Sequence, residues 1–245
     1  APHRMDADVP LLIPEVNANH TALIEAQRRQ RGWQGLIVAS ANCTTTQLAL
    51  ALKPVHTAFG LRKLSLVSMQ AISGAGYPGV PGPDILGNVV PYIGGEEEKV
   101  ESEFRKLLGD LEDGGIRPAP ALVSAQCNRV PVQDGHTECV SVELEREAST
   151  GDLVAAFENF AGPEQVAGLP SSPARPIVVR READRPQPLR DRDTGGGMSV
   201  VVGRVRPCPV LGHKFVVLGH NTVRGAAGGS IHNAELLVEQ GWVAH

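Results

Sequence analysis

No apolar run in the 245-residue chain approaches the ~20 residues a membrane-spanning helix needs, so these residues contain no such helix. Neither sign of charge dominates: 23 Lys and Arg against 27 Asp and Glu leave a net charge of −4, with the arginines spread along the chain. No general attraction to nucleic acid or to an anionic membrane follows. The four cysteines, Cys43, Cys127, Cys139 and Cys208, have neither CxxC metal spacing nor the pattern of a disulfide-stapled small domain. Cysteine and histidine together lack ligand spacing, and no metal site is expected. No secretion signal is visible, so a reducing, cytoplasmic setting is the expectation. Internal repeats are absent. The sequence opens at Ala1 on an irregular polar stretch, and an upstream segment is expected.

What is present is ordinary globular composition, 42% hydrophobic and 20% charged, in a chain long enough to bury one large core or two smaller ones. "VPLLIPEV" reads as a short buried strand interrupted by Pro14, "ANHTALIEAQRRQRGW" as a helix and "QGLIVASANC" as a second strand. "TTTQLALALKPVHTAFG" is the helix fed by that strand, expected to bend or end near Pro54. "RKLSLVSMQAISG" is a further strand, and the succession predicts an α/β layer with a partly parallel sheet. The Gly- and Pro-rich stretch "SGAGYPGVPGPDILGNVVPYIGG" is loop. A helix follows from about Glu96 to Leu108, its acidic first turn matched to the helix dipole. The strands "APALVSAQCNRVPV", "TECVSVELE", "RPIVVRRE", "MSVVVGRVR" and "KFVVLGHN" predict a mixed or antiparallel sheet distinct from the first part, interrupted by the helix "DLVAAFENFAG". The chain closes on a helix, "RGAAGGSIHNAELLVEQG", stopped at Gly241.

Cys43 falls where a strand gives way to a helix. A helix N-terminus lowers a thiol pKa, and the thiolate is the reactive form. Asn42 beside it is a candidate helix cap or oxyanion donor. Position alone favours an inert packed cysteine. A nucleophile needs a base, and of the eight histidines His136 is the most suggestive. It lies in a turn between two strands, and Arg129, seven residues earlier, is on the first of them. A hairpin there brings a carboxylate-binding guanidinium and a proton-moving imidazole to one cleft; a surface arginine and a turn histidine are the bland alternative. Gln70 ends a strand before the glycine loop "SGAG", which lets backbone approach a ligand but lacks GxGxxG spacing. Glu96 and Lys99 share a helix face, as a ligand grip or as a solvated first turn.

Six segments in order, "VPLLIPEVN", "SANCTTTQLALALKP", "MQAISGAGYPGVPG", "DILGNVVPYIGGEEEKVE", "SAQCNRVPVQDGHT" and "HNTVRGAAGGSIHNAELL", resemble aspartate-semialdehyde dehydrogenase of the branch found in archaea and fungi. The resemblance runs from about residue 8 to residue 241. It implies an α/β fold: the remainder of an incomplete Rossmann-type NADP-binding domain over residues 1–42, a mixed-sheet α+β catalytic and dimerisation domain over 43–220, and a C-terminal helix over 221–245 returning to the first domain. It also implies that the glycine-rich first turn of the nucleotide domain and a phosphate-binding arginine lie upstream, the chain being the catalytic C-terminal part of a longer enzyme.

The implied reaction is NADPH-dependent reductive dephosphorylation of L-4-aspartyl phosphate to aspartate semialdehyde, in biosynthesis of lysine, threonine and methionine. Position by position, Cys43 matches the acyl-thioester nucleophile and Asn42 its companion. Gln70 matches the glutamine that orients the acyl group, and His136 the acid/base histidine. Arg129 matches the arginine that binds the substrate carboxylate. Glu96 and Lys99 match the pair contacting substrate amine and phosphate, with Glu97 as the alternative register. Ser73 and Gly74 match the cofactor-touching loop, and Asn221 a residue near the nicotinamide. The oxyanion is expected on backbone N–H groups at the helix start. The expected partners are the small-molecule substrate and phosphate, and a second copy of the chain in a homodimer or homotetramer. A related acyl-CoA reductase such as malonyl-CoA reductase, and a non-catalytic dimerising remnant, are the competing readings.

Overall fold

The computed structural model describes residues 2–243; the outermost parts of the expected first and last segments, Ala1, Ala244 and His245, lie outside the described residues. In chain order, β1 (Leu11–Leu12) leads into α1 (Pro14–Asn17), a 3-10 turn and α2 (Leu23–Arg31). β2 (Ala39–Ser40) pairs parallel with β1 and runs into α3 (Cys43–Phe59). β3 (Leu61–Gln70), the short α4 (Gly82–Ile85) and α5 (Glu96–Leu107) follow. Next come β4 (Asp110–Glu112), β5 (Gly115–Arg117), β6 (Leu122–Arg129) and β7 (His136–Leu144). Then come α6 (Thr150–Glu158), α7 (Glu164–Ala167), β8 (Ile177–Arg180), α8 (Pro188–Asp191), β9 (Val200–Cys208) and β10 (Gly212–Gly219). A π-helical turn, Val223–Ala227, opens into α9 (Gly228–Glu239), and Gly241 beyond it takes φ 73°.

Six strands form the main sheet in the order β6-β3-β7-β10-β9-β8. Its outer pairs, β3 with β6 and β8 with β9, are parallel, and its inner pairs are antiparallel. β3 therefore belongs to this sheet and not to the first α/β layer, where the sequence reading put it. The alternation of "LRKLSLVSMQ" explains why: Leu64, Leu66 and Ser68 are buried on one face while Lys63, Ser65 and Val67 are exposed on the other, and that half-buried pattern fits a one-sided sheet.

α3, α5 and α6 cover the inner face. Leu48, Leu50, Leu52 and Val55 of α3 are wholly buried, and Phe157 of α6 meets Phe215 of β10 edge-on at 5.3 Å. α3 continues through Pro54 to Phe59, so of the bend or end expected there the end does not occur. An internal proline costs a helix about 3 kcal/mol, but each buried Leu or Val returns about 1.5–3 kcal/mol, and Leu50, Leu52 and Val55 around Pro54 lie in the core.

The first layer is thinner than its sequence suggests. Each of its two strands is two residues long, and the first stops at Leu12 so that a helix begins at Pro14, where only an interruption of the strand was expected. Gln27 replaces part of the missing ladder: its amide oxygen accepts from Ile37 N (2.6 Å), and its Nε2 donates to Ile37 O (2.9 Å) and Asp8 O (3.0 Å). The hairpin β4–β5, turning at Asp113–Gly114, was not anticipated, although Asp-Gly is a strong hairpin signal.

β6 is an edge strand, and three of its outward N–H groups are closed. Ala125 N donates to Glu101 (3.0 Å), Cys127 N to Glu97 (2.9 Å) and Arg129 N to Val90 O (2.8 Å). The acidic helix thus shields an edge that is otherwise open to pairing. No helix among the described residues is long and apolar enough to cross a membrane.

Candidate active site

The ends of β3, β6 and β10 and the start of β7 meet at one end of the sheet, where they carry Gln70, Arg129, Asn221 and His136 beside the N-terminus of α3. A groove of about 820 Å³, lined by Arg62, Glu143 and His213 among others, lies at the opposite end, away from this cluster.

Cys43 is the first residue of α3. Asn42 caps the helix: its Oδ1 accepts from Thr44 N (2.9 Å) and Thr45 N (3.2 Å). These are the amides expected to hold an oxyanion, and the cap takes them. The Asn42 Nδ2 is also engaged, donating to Glu96 Oε1 at 2.7 Å. Asn42 is therefore tied on both sides and holds the nucleophile in place, as the helix cap that was one of its two expected roles.

Cys43 Sγ lies 3.2 Å from His136 Nε2. His136 is buried, and its Nδ1 accepts from Ala71 N at 3.0 Å. Burial, with the charges of Arg129 and His220, pushes its pKa down to about 3, so the ring is neutral. With an N–H donor at Nδ1, the neutral ring carries its proton on Nε2, facing the sulfur. The thiol is not depressed as the helix N-terminus led us to expect. Burial, then the Glu96 carboxylate, raises it to about 11, and the amides of Thr44 and Cys43 and the Arg129 charge offset this only in part.

Arg129 is buried and donates through Nη1 to Ala71 O (2.8 Å). It forms no ion pair among the described residues, and burial lowers its pKa. An unpaired buried guanidinium is a ready site for a carboxylate. Glu96 is buried, with Gln70 Nε2 donating to its Oε1 at 3.1 Å; Gln70 also reaches Ser68 Oγ (3.3 Å). Lys99 is half-exposed, 3.9 Å from Glu96 Oε2. Glu97 turns to the edge of β6, so Glu96 is the register facing the cluster.

Asn221 bridges two loops, with Oδ1 accepting from Gly135 N and Nδ2 donating to Ser73 Oγ, both at 2.8 Å. It thereby locks the turn before His136 against the glycine loop. A Cβ on Gly74 would stand 2.8 Å from His136 Cε1 and Arg129 Nη1, so only glycine lets this loop pack directly on the two side chains.

Several supporting residues carried no readable signal. A Cβ on Gly225, in the π-helical turn, would stand 2.6 Å from Cys43 Cβ, so this glycine is the wall behind the nucleophile. Arg224 beside it pairs bidentately with Glu15, both buried. Burial would raise the Glu15 carboxyl, but Arg224 and His232 hold it well below the usual range. Beneath His136, Gln47 Nε2 donates to His136 O (3.0 Å) and to Glu138 Oε1 (2.6 Å). Among the described residues no group of three or more His, Cys, Asp or Glu is placed to hold a metal ion.

A thiol facing an imidazole, with a lone buried cation beside them at a sheet end, is an arrangement suited to covalent acyl transfer. The class is that of semialdehyde dehydrogenases: residues 52–224 match the family described as "Semialdehyde dehydrogenase, dimerisation domain". Within that class the chain belongs to the aspartate-semialdehyde dehydrogenase family. It is 56% identical over 238 residues to the aspartate-semialdehyde dehydrogenase of Archaeoglobus fulgidus, covering 97% of this chain and 68% of that protein. The crystal structure of the Candida albicans aspartate-semialdehyde dehydrogenase with NADP superposes with a TM-score of 0.89 at 41% identity, covering 98% of this chain and 70% of that one. A more distant relative is the malonyl-CoA reductase (NADP) of Metallosphaera sedula, 38% identical, covering 98% of this chain and 69% of that protein.

Proposed function

We propose that the chain carries out the NADPH-dependent reductive dephosphorylation of L-4-aspartyl phosphate, by way of a thioester on Cys43. The observation that carries this reading is the approach of Cys43 Sγ to His136 Nε2 at 3.2 Å beside the unpaired Arg129.

The substrate carboxylate binds Arg129 and its ammonium binds Glu96, which set the acyl carbon over the sulfur. Glu96 neutralised by that ammonium no longer opposes ionisation of Cys43, whose proton leaves to solvent, and His136 Nε2–H donates a hydrogen bond to the thiolate. The thiolate attacks the carbonyl, and the tetrahedral oxyanion re-forms the C=O by expelling phosphate, which leaves past Lys99. Gln70 orients the resulting acyl group. Ser73, Gly74 and Asn221 would hold NADP beside His136, the Asn221 side chain tying the Ser73 loop to the turn before His136. The reduced nicotinamide supplies a hydride to the thioester carbon. His136 Nε2–H then donates to the oxygen that gains charge, and C–S cleavage releases the aldehyde and restores the thiolate. Covalent catalysis is central because a thioester accepts hydride where a carboxylate does not.

The division into residues 1–42, 43–220 and 221–245 belongs to this reading, supported by α9 lying against α1 and β2. A dimer through the open face of the sheet is supported by Val67, Leu122 and Cys139, all exposed there. Four free thiols are in keeping with a cytoplasmic enzyme.

The test is turnover of aspartate semialdehyde with phosphate and NADP in the full-length enzyme, beside malonyl-CoA with NADPH. Cys43→Ala is expected to abolish the first with its circular dichroism unchanged. Retained turnover in Cys43→Ala, or a preference for malonyl-CoA, refutes the proposal.

A further inference from the structure

α5 carries Glu96 and Glu103, seven residues apart and therefore on one helical face. Both converge on Asn42. Glu96 Oε1 accepts from its side chain at 2.7 Å, and Glu103 Oε2 accepts from its main-chain N–H at 2.6 Å. That N–H lies just past the end of β2 and has no strand partner. Glu103 is 1% exposed. Its other oxygen accepts from Arg4 Nη1 at 3.0 Å. One turn on, Lys106 Nζ donates to the carbonyls of Arg4, Asp6 and Val9 at 2.7–2.9 Å. The N-terminal strap and α5 thus hold the Glu103 carboxylate from both sides.

We infer that Glu103 is a positioning residue for the nucleophile: by holding the main-chain N–H of Asn42 it fixes where the cap of α3 stands, and so the approach of Cys43 Sγ to His136 Nε2. Its consequence for turnover rests on the proposed reaction; its consequence for the thiol does not. Without the Glu103 acceptor, Asn42 keeps its side-chain bonds but loses the contact that stops the backbone of residues 41–43 from drifting. Gly225, pressed against Cys43 from the other side, leaves no compensating shift in that direction.

The test compares Glu103→Leu, which removes the acceptor, with Glu103→Gln, which keeps an oxygen at the same reach without the charge. Arg4→Ala removes the ion pair and leaves the Asn42 bond. Each full-length variant is read for kcat and KM, for melting temperature, and for the pH profile of Cys43 alkylation by iodoacetamide, resolved from the other cysteines by peptide mass spectrometry. Displacement of a reacting atom by an ångström costs about 100-fold, so Glu103→Leu is expected to lower kcat 10- to 100-fold, about the full displacement or part of it, with KM changed at most about twofold. Its alkylation profile moves to higher pH as the sulfur leaves the Nε2–H donor. Glu103→Gln and Arg4→Ala keep the wild-type kcat and profile. Glu103→Asp, which withdraws the carboxylate by one methylene, replaces Glu103→Leu if that variant does not fold. A Glu103→Leu or Glu103→Asp enzyme that melts earlier but keeps the wild-type kcat and profile overturns the inference, as does Glu103→Gln impaired to the same extent as Glu103→Leu. An inactive wild-type enzyme would overturn the proposed function alone, since the alkylation profile still decides the role of Glu103.

Discussion

Gly225→Ala isolates the wall behind the nucleophile. Gly225 is absent from the positive-φ residues, so alanine fits its backbone and the effect is steric. The new Cβ would stand 2.6 Å from Cys43 Cβ and 2.9 Å from Cys43 Cα. Ordinary carbon–carbon contact is ~3.5–4.0 Å, so about 1 Å of separation must be recovered. The turn cannot back away freely, because Arg224 is clamped to Glu15 in a buried pair; Cys43 must move. Overpacking of this kind costs about 1–3 kcal/mol, and a chain of this size loses about 2–4 °C of melting temperature per kcal/mol. The catalytic cost is larger, since displacing a reacting atom by an ångström costs about 100-fold. The assay pairs steady-state kinetics and differential scanning calorimetry with Cys43 alkylation. Gly168→Ala is the control, since a Cβ there would meet no atom within 4 Å and its φ is not positive. Wild-type kcat and alkylation in Gly225→Ala would refute the reasoning.

Two further outcomes follow from the charges. The ligand-free Cys43 thiol titrates near 11, above its usual value, so alkylation rises only in strongly alkaline solution; Glu96→Gln removes the carboxylate that opposes ionisation and moves the inflection to lower pH, and an inflection that stays put or rises sinks this account. Glu138 is fully buried, and its burial raises its pKa well above the usual value. A group raised in the folded state stabilises fully below its unfolded pKa, about 4.3, and that contribution is lost as pH rises toward the folded value. Glu138→Gln does not titrate, so relative to wild type it should gain up to about 1.4 kcal/mol per pH unit in that window; urea unfolding at acidic and neutral pH measures this, and parallel pH profiles for the two proteins count against it.

The local elements were largely legible. The pattern of "CVSVELE" and "SVVVGRVR", the acidic first turn of α5 and the glycine beyond α9 each express physics within a few residues. Pro54 does not end α3 because its penalty is local while the apolar burial that outweighs it is set by the sheet beneath the helix. β3 was assigned to the wrong layer because strand order depends on pairing across the chain: its partners are β6 and β7, not β2. The two-residue strands were overlong in the reading because nothing local reveals that the Gln27 amide satisfies Ile37.

The site divides in the same way. The sequence by itself determined which residues were available for chemistry: a cysteine opening a helix behind an asparagine cap, a glutamine at a strand end, and an arginine and a histidine on strands consecutive in the chain, which β3 separates in the sheet in place of the expected hairpin. Only the tertiary structure decided what they do to one another. It set Ala71 N against His136 Nδ1, so that the proton faces the sulfur, and it buried the thiol beside Glu96, so that its pKa rose. It also backed the thiol with Gly225 and tied its cap to Glu103. Hydrogen-bond direction, burial and steric contact between residues far apart in sequence arise only when the chain has folded.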